Sequence, residues 1–197
     1  MTKIVDFYFD FISPFSYLAN YRLNQVAQDR RVSICYHAID LAAAKKAIGN
    51  IGPSNRELPV KLSYLTVDLM RWAEIYRIDL RFIPNFNSRS LNVGSFFAKD
   101  ESERSRYVNF AFGRTWGVGQ APDDVEVLSE VASEMQWNKE DFFAFIESPK
   151  GRAAYEESTE KAIERKVFGV PFMCVDDKSW WGNDRIFMLE DYLERNG

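Results

Sequence analysis

Hydrophobic and polar positions divide the chain into an α/β start, a long helical middle and an α/β end. Residues 3–10 are β-branched and aromatic and predict a buried strand. Ser13-Pro14 follows, and the apolar residues after it recur at helical spacing, which is typical of a capped helix start. Residues 32–39 alternate again. The first 40 residues therefore predict a strand–helix–strand unit with a right-handed crossover.

The pattern from Leu41 to about Lys166 predicts helices separated by short breaks, and the last 30 residues return to α/β. The segments with helical spacing are 42–48, 58–76, 103–116, 124–135, 139–147 and 151–166. A strand at 172–175, a turn, a second strand at Trp180-Trp181 and a terminal helix complete the chain. This order predicts an α/β fold: a thioredoxin-like domain of residues 1–40 and 167–197, interrupted by an all-helical insertion domain at 41–166.

Composition narrows the classes of function. Among 197 residues, 25 Lys and Arg stand against 29 Asp and Glu without a basic stripe, which argues against a nucleic-acid partner. The sequence has neither an apolar run of membrane-spanning length nor a signal-peptide pattern, and two cysteines do not make a disulfide scaffold. We expect a cytoplasmic protein with reduced thiols and no membrane partner. The 15% aromatic content indicates a large core or an aromatic-walled pocket.

Two common kinds of site are excluded. His37 is the single histidine and lies in a predicted strand, so a site with several histidines is impossible, and we expect a structural role for it. We see no Cys/His cluster and predict no metal site. The glycine pairs at 49–52 and 117–119 lack the context of phosphate-binding and dinucleotide-binding loops and are interpreted as turns.

Ser13-Pro14-Phe15-Ser16 stands where a thioredoxin-like redox protein carries Cys-x-x-Cys. Serine at both cysteine positions excludes dithiol exchange there. A helix N-terminus still favours an anion such as a thiolate. Ser13 therefore either hydrogen-bonds a thiolate delivered by a ligand or only caps the helix.

Two C-terminal segments carry similar alternatives. Val170-Pro171 enters a strand, where thioredoxin-like folds place a cis-proline whose preceding backbone can pair with an extended peptide; an ordinary trans-proline is the other interpretation. Asp184, at the start of the last helix, either caps that helix or helps to hold a zwitterionic ligand end. Arg185 either neutralises a ligand carboxylate or is solvated.

Four blocks of the sequence together resemble a known family. Their order and spacing are similar to those of the 2-hydroxychromene-2-carboxylate isomerases, relatives of the kappa-class glutathione transferases. The blocks are DFYFDFISPFSYLA at 6–19, AIGN with GPSNR at 47–56, ERKVFGVP at 164–171 and WWGNDR at 180–185.

The resemblance implies a reaction and a cofactor. The family interconverts 2-hydroxychromene-2-carboxylate and trans-o-hydroxybenzylidenepyruvate during the breakdown of naphthalene-type aromatic compounds. Glutathione is used without being consumed: its thiolate adds reversibly to the open enone, which allows rotation about the former double bond. A homodimer is also implied.

The resemblance further assigns roles to single residues. Ser13 corresponds to the catalytic serine that contacts the glutathione sulfur. The residues that correspond to other glutathione contacts are Val170, Pro171, Trp181, Gly182, Asn183 and Asp184. Those that correspond to contacts with the aromatic carboxylate substrate are Lys45, Asn55, Arg56 and Phe86. Phe86 stands where the family pattern leads us to expect tyrosine, so a hydrogen bond from a hydroxyl is lost there.

Three rival functions stay open on the sequence. A kappa-type transferase would conjugate glutathione permanently to electrophiles with the same glutathione contacts. A non-catalytic thioredoxin-like module would bind peptides through the Val170 backbone. A dithiol oxidoreductase would use Cys35 and Cys174, which lie in predicted strands where buried, unreactive thiols are the norm.

Overall fold

A computed structural model describes residues 3–196 of the chain. The strands are β1 (Ile4–Phe9), β2 (Ser33–Ala38), β3 (Phe172–Val175) and β4 (Lys178–Trp181). The helices are α1 (Pro14–Arg30), α2 (Leu41–Ala47), α3 (Pro59–Tyr76), α4 (Arg89–Gly94), α5 (Glu101–Phe112), α6 (Val125–Glu134), α7 (Lys139–Glu147), α8 (Pro149–Glu164) and α9 (Ile186–Asn196). This order confirms the predicted α/β, thioredoxin-like plan with helices between its two halves.

The four strands form one sheet in the order β2-β1-β3-β4. β1 and β2 are parallel, as the α1 crossover requires, and pair from Ile4 with Ser33 to Phe9 with Ala38. β3 runs antiparallel to both β1 and β4. The chain therefore leaves β1 and enters β3 at the same edge of the sheet, where the candidate site lies.

The core joins the sheet to the inserted helices. One cluster of buried side chains includes Phe7 and Phe9 of β1 together with Phe112, Leu128 and Phe142 of the helical segment. Aromatic rings pack edge-on or tilted within it, for example Phe11 with Phe112 at 4.6 Å between centroids. The helices are thus fixed against the sheet by shared burial. The assignment of 41–166 to a separate domain stays a prediction.

Differences from the predicted elements concern short or irregular segments. The sequence pattern misses α4, a six-residue helix between two loops. The helix predicted over 103–116 ends at Phe112 and continues as a π-helical turn over 113–117. No helix within residues 3–196 is long and apolar enough to cross a membrane.

Candidate functional site

Ser13 lies at the N-terminus of α1, directly after β1. Its hydroxyl oxygen accepts a hydrogen bond from the Ser16 amide at 3.2 Å, so it caps the helix as the sequence predicts. The hydroxyl proton has no acceptor among the residues that the structure describes. The first turn of α1 contains no acidic residue, so the positive end of the helix dipole is not neutralised. Ser13 can therefore cap the helix and donate to an anion at the same time.

The Val170-Pro171 peptide bond is cis, which confirms the sequence expectation. Among the hydrogen bonds within residues 3–196, none uses the Val170 amide or carbonyl. The Pro171 carbonyl accepts from the Gly182 amide at 2.9 Å, which ties this segment to the end of β4. Val170 therefore presents an unpaired backbone edge, the feature that peptide-binding sites use.

A cavity of about 370 Å³, here the central cavity, lies between the sheet edge and the inserted helices. Ser13 and Val170 line it on the sheet side together with Trp181. The predicted substrate contacts line its other side: Lys45, Asn55, Arg56 and Phe86. Seven of the predicted residues thus meet in one space, although they come from six separate stretches of sequence. The predicted residues Pro171, Gly182, Asn183 and Asp184 do not line this cavity.

The substrate side of the central cavity is cationic and aromatic. The Arg56 guanidinium carbon lies 3.7 Å from the centre of the Phe86 ring, a cation–π contact. Neither Lys45 nor Arg56 forms an ion pair with another residue of the described chain. Burial lowers the pKa of Arg56, and the negative charges of Asp10 and Glu57 act against that shift. Two cations are thus available for an anionic ligand.

The segment after β4 is shaped by Gly182, whose φ of 100° is strained for other residues. Asn183 is buried, and its side-chain oxygen accepts from the Tyr76 hydroxyl at 3.1 Å. Its side-chain amide is also buried and has no hydrogen-bond partner within residues 3–196. Asp184 pairs with Arg185 at the surface. This segment therefore carries both charge signs just beyond Trp181.

Trp116, on the π-helical turn, lines the central cavity from the inserted helices. Its indole Nε1 donates to the Phe11 carbonyl at 2.8 Å, and its side chain is fully buried. Phe11 precedes Ser13 by two residues. Trp116, which forms the floor of the cavity, is therefore hydrogen-bonded directly to the segment that leads into α1 and Ser13.

Asp10 is a site residue that the sequence analysis misses. Its carboxylate is buried and accepts from the Ser88 hydroxyl, the Asn92 side chain and the amides of Ile12 and Leu41, at 2.5–3.3 Å. It lines a second cavity of about 550 Å³, here the polar chamber, which shares Lys45 and Arg56 with the central cavity. Burial raises the pKa of Asp10. Its partners lie up to 82 residues away, so no local motif points to it.

The structure also corrects the expectation that cysteine and histidine do not cluster. Cys35 and His37 are two residues apart in β2 and therefore lie on the same face of the sheet. Asp6 of β1 lies on that face as well. Burial raises the pKa of Cys35 to about 11 and also raises that of Cys174. Both thiols are free and in strands, which disfavours a dithiol oxidoreductase.

Comparisons with known proteins show which family and fold the chain resembles. The family model described as "DSBA-like thioredoxin domain" matches residues 4–194. A 2-hydroxychromene-2-carboxylate isomerase of Pseudomonas putida is 53% identical, with 98% of this chain and 95% of the relative covered. A 2-hydroxychromene-2-carboxylate isomerase of Pseudomonas sp. (strain C18) is 55% identical, with 95% of this chain and 89% of the relative covered. Glutathione S-transferase kappa 1 of Caenorhabditis elegans is 27% identical, with 97% of this chain and 91% of the relative covered. A solved 2-hydroxychromene-2-carboxylate isomerase structure superposes with a TM-score of 0.96 at 53% identity, covering 98% of this chain and 95% of that one.

Proposed function

The chain belongs to the DSBA-like thioredoxin domain family and, within it, to the 2-hydroxychromene-2-carboxylate isomerases, and we propose that glutathione is its cofactor. The chain is thus an enzyme of the isomerase class. The proposed substrates are 2-hydroxychromene-2-carboxylate and trans-o-hydroxybenzylidenepyruvate, which it interconverts. The meeting of Ser13 and the Arg56–Phe86 pair in one cavity is the observation that carries the proposal.

The residues present fit glutathione, a zwitterionic tripeptide with a central thiol. The free proton of the Ser13 hydroxyl suits the sulfur, and the unpaired backbone of Val170 suits the cysteinyl unit. Trp181 lines the same cavity as this backbone and is followed, three residues later in the sequence, by the charged pair Asp184 and Arg185. Gly182 and buried Asn183 fix the direction of the segment that follows Trp181. The Pro171 carbonyl accepts a hydrogen bond from the Gly182 amide of that segment. Together they offer partners for a thiol, a backbone and a charged end.

Bound glutathione supplies a thiolate nucleophile for reversible addition to a conjugated enone. Ser13 donates a hydrogen bond to the position of the sulfur, and the α1 dipole favours negative charge there. Since serine occupies both positions of the Cys-x-x-Cys motif, the protein itself offers no sulfur at this point. Ser13 thus keeps the thiol in its reactive, ionised form.

The opposite side of the cavity positions the substrate. Arg56 and Lys45 offer cationic donors to its carboxylate, and Asn55 adds a neutral polar group to the same lining. Phe86 holds the Arg56 guanidinium on its ring face, a contact that does not require the missing tyrosine hydroxyl. The aromatic part of the substrate meets the Trp116 floor.

The decisive experiment follows the ultraviolet spectrum of 2-hydroxychromene-2-carboxylate with enzyme and with glutathione far below the substrate concentration. We expect many turnovers per glutathione and the same final mixture from either isomer. Glutathione consumed in proportion to product would overturn the proposal in favour of a kappa-type transferase. No conversion and no thermal stabilisation by millimolar glutathione would overturn the proposal and favour the peptide-binding module instead. The homodimer implied by the resemblance and the cytoplasmic location expected from the sequence composition stay predictions.

A further inference from the structure

A second cluster of reactive side chains lies on the sheet face opposite the aromatic core, away from the central cavity. Asp6 of β1 pairs in register with Cys35 of β2, and His37 follows two residues later on the same face. The Asp6 Oδ1 to His37 Nε2 distance is 2.8 Å. One carboxylate oxygen, one imidazole nitrogen and the Cys35 sulfur all lie within 4.8 Å of one another. The β1–β2 register alone thus brings three ligand-type atoms together.

We propose that Asp6, Cys35 and His37 form a binding site for a divalent cation of Zn²⁺ type. Sulfur, imidazole nitrogen and carboxylate oxygen are the donors that Zn²⁺ takes in proteins, at about 2.0–2.3 Å from the metal. Around a tetrahedral ion at such distances, ligand atoms lie about 3–4 Å apart. The side chains need only small rotations from their present separations. This inference is independent of the proposed isomerase function.

Partial exposure makes the site accessible to an ion. The His37 and Asp6 side chains are 28% and 23% exposed, so an ion can enter and keep water as its fourth ligand. The His37 ring stacks on Tyr8 at 4.6 Å between centroids, which fixes its plane. On binding, the Cys35 thiol loses its proton to solvent. The Asp6–His37 hydrogen bond breaks, the Nε2 proton of His37 passes to Nδ1 through solvent, and the freed nitrogen, carboxylate oxygen and sulfur bond the metal. The bound ion would then link edge strand β2 to β1.

Neighbouring charges act on the site in opposite directions. Arg165 donates to the second carboxylate oxygen of Asp6 at 3.1 Å, and its positive charge opposes a metal ion. Glu101 lies beside Cys35 and raises the pKa of that thiol, so its negative charge favours a bound cation; Arg104, which pairs with Glu101, lowers the same pKa and offsets part of that effect. Removing the Arg165 charge should therefore strengthen metal binding, whereas removing a ligand should weaken it.

The test titrates Co²⁺ alone, as a spectroscopic substitute for Zn²⁺, into the full chain after treatment with a chelator. We expect the visible bands of four-coordinate cobalt together with a sulfur-to-cobalt charge-transfer band. Competition with Zn²⁺ should abolish both. The charge-transfer band should disappear in Cys35→Ser and persist in Cys174→Ser, whose thiol faces Asp6 from β3 outside the three-ligand cluster. His37→Gln should weaken binding by at least about tenfold.

Arg165→Gln provides a gain-of-affinity test, with an expected increase of about fivefold or more. It retains all three ligands, so it keeps the proposal falsifiable if a ligand variant fails to fold. A spectrum of six-coordinate cobalt, or a charge-transfer band that survives in Cys35→Ser, would overturn the proposal. So would unchanged cobalt affinity in both His37→Gln and Arg165→Gln. In those cases the cluster is a His37–Asp6 hydrogen bond beside an inert thiol.

Discussion

The two sides of the central cavity are built differently. On the sheet side, Ser13 is almost fully buried at a helix end and Val170 is held beside it by the strand that follows. On the opposite side, Asn55 and Arg56 lie on an exposed 3-10 turn, where a capping box between Ser54 and Glu57 supplies the hydrogen bonds. One side is fixed by sheet and core, and the other by its own local contacts.

This difference separates two tasks. A thiolate needs donors whose positions do not change as charge moves, because reorganisation would raise the barrier. A carboxylate needs cations that can approach it as it enters. We therefore expect substitutions on the sheet side to lower kcat and those on the opposite side to raise KM. The following predictions test that division in order of decreasing effect.

Ser13→Ala should lower kcat/KM for isomerisation by about 10²-fold, chiefly through kcat, because one donor to the sulfur is lost. Steady-state kinetics at saturating glutathione measures this. Ser16→Ala is the matched control. The Ser16 hydroxyl, three residues after Ser13, is buried and has no hydrogen-bond partner in the described part of the chain, so the activity of this variant should stay within about twofold of wild type. Equal losses in both variants would show that helix packing, rather than the Ser13 hydroxyl, limits the reaction.

Asp10→Asn should lower the free energy of unfolding by about 1–3 kcal/mol, because donors aimed at the carboxylate lose their acceptor. Burial raises the pKa of Asp10 above its ordinary value of 3.8. The contribution of Asp10 to the free energy of unfolding is therefore complete below pH 3.8. The contribution declines as the pH rises through the folded-state pKa. The stability difference between wild type and Asp10→Asn should therefore be larger at low pH than at neutral pH. Denaturant unfolding at several pH values measures it, and the opposite slope would contradict the burial argument.

Arg56→Gln should raise KM for the carboxylate substrate about tenfold and change kcat little, because a charge-assisted contact in the ground state is lost. Lys46→Gln is the control, since it removes the same charge from an exposed position next to Lys45 and outside the cavity lining. A fall in kcat instead of a rise in KM would assign Arg56 to the chemical step and break the proposed division.

Gly169→Ala should weaken glutathione binding by about three- to fivefold. A Cβ at this position would lie 2.8 Å from the Trp181 indole nitrogen, so the ring must move within the cavity wall. Calorimetric titration with glutathione measures the change. Gly113→Ala, where an added Cβ meets nothing within 4 Å, should leave the affinity unaltered.

Phe86→Tyr should change kcat/KM by less than about threefold, since the ring face that carries Arg56 is retained. Phe86→Leu, which keeps an apolar side chain and removes the ring, should raise KM more. A large gain in Phe86→Tyr would show that the hydroxyl expected from the family pattern does more than the cation–π contact.

Local signals in the sequence predict the sheet side well. The cap at Ser13 depends on residues within one helical turn, and the cis bond depends on Val170-Pro171 and the strand after it. Strands and helices at both ends follow from periodicity within short windows. The family resemblance adds Lys45, Asn55 and Arg56, which periodicity alone would leave as ordinary surface residues.

Contacts between distant segments account for what the sequence does not reveal. Asp10 meets Ser88 across 78 residues, and the α4 helix that carries Asn92 is too short for a clear hydrophobic period. The Asp6–His37 contact spans 31 residues and depends on strand register. Alternation does place Cys35 and His37 on one face, so two of the three members can be predicted from the sequence, but the third member requires the pairing of β1 with β2.

The bond from Trp116 to the Phe11 carbonyl sets a rule for redesigning this enzyme toward bulkier substrates. Trimming Trp116 would enlarge the cavity but would also release the chain segment two residues before Ser13, so space would be gained at the expense of the nucleophile's alignment. Phe82 lines the same cavity, is 48% exposed and makes no such bond among the described residues. Substrate range is therefore more safely widened at Phe82 than at Trp116.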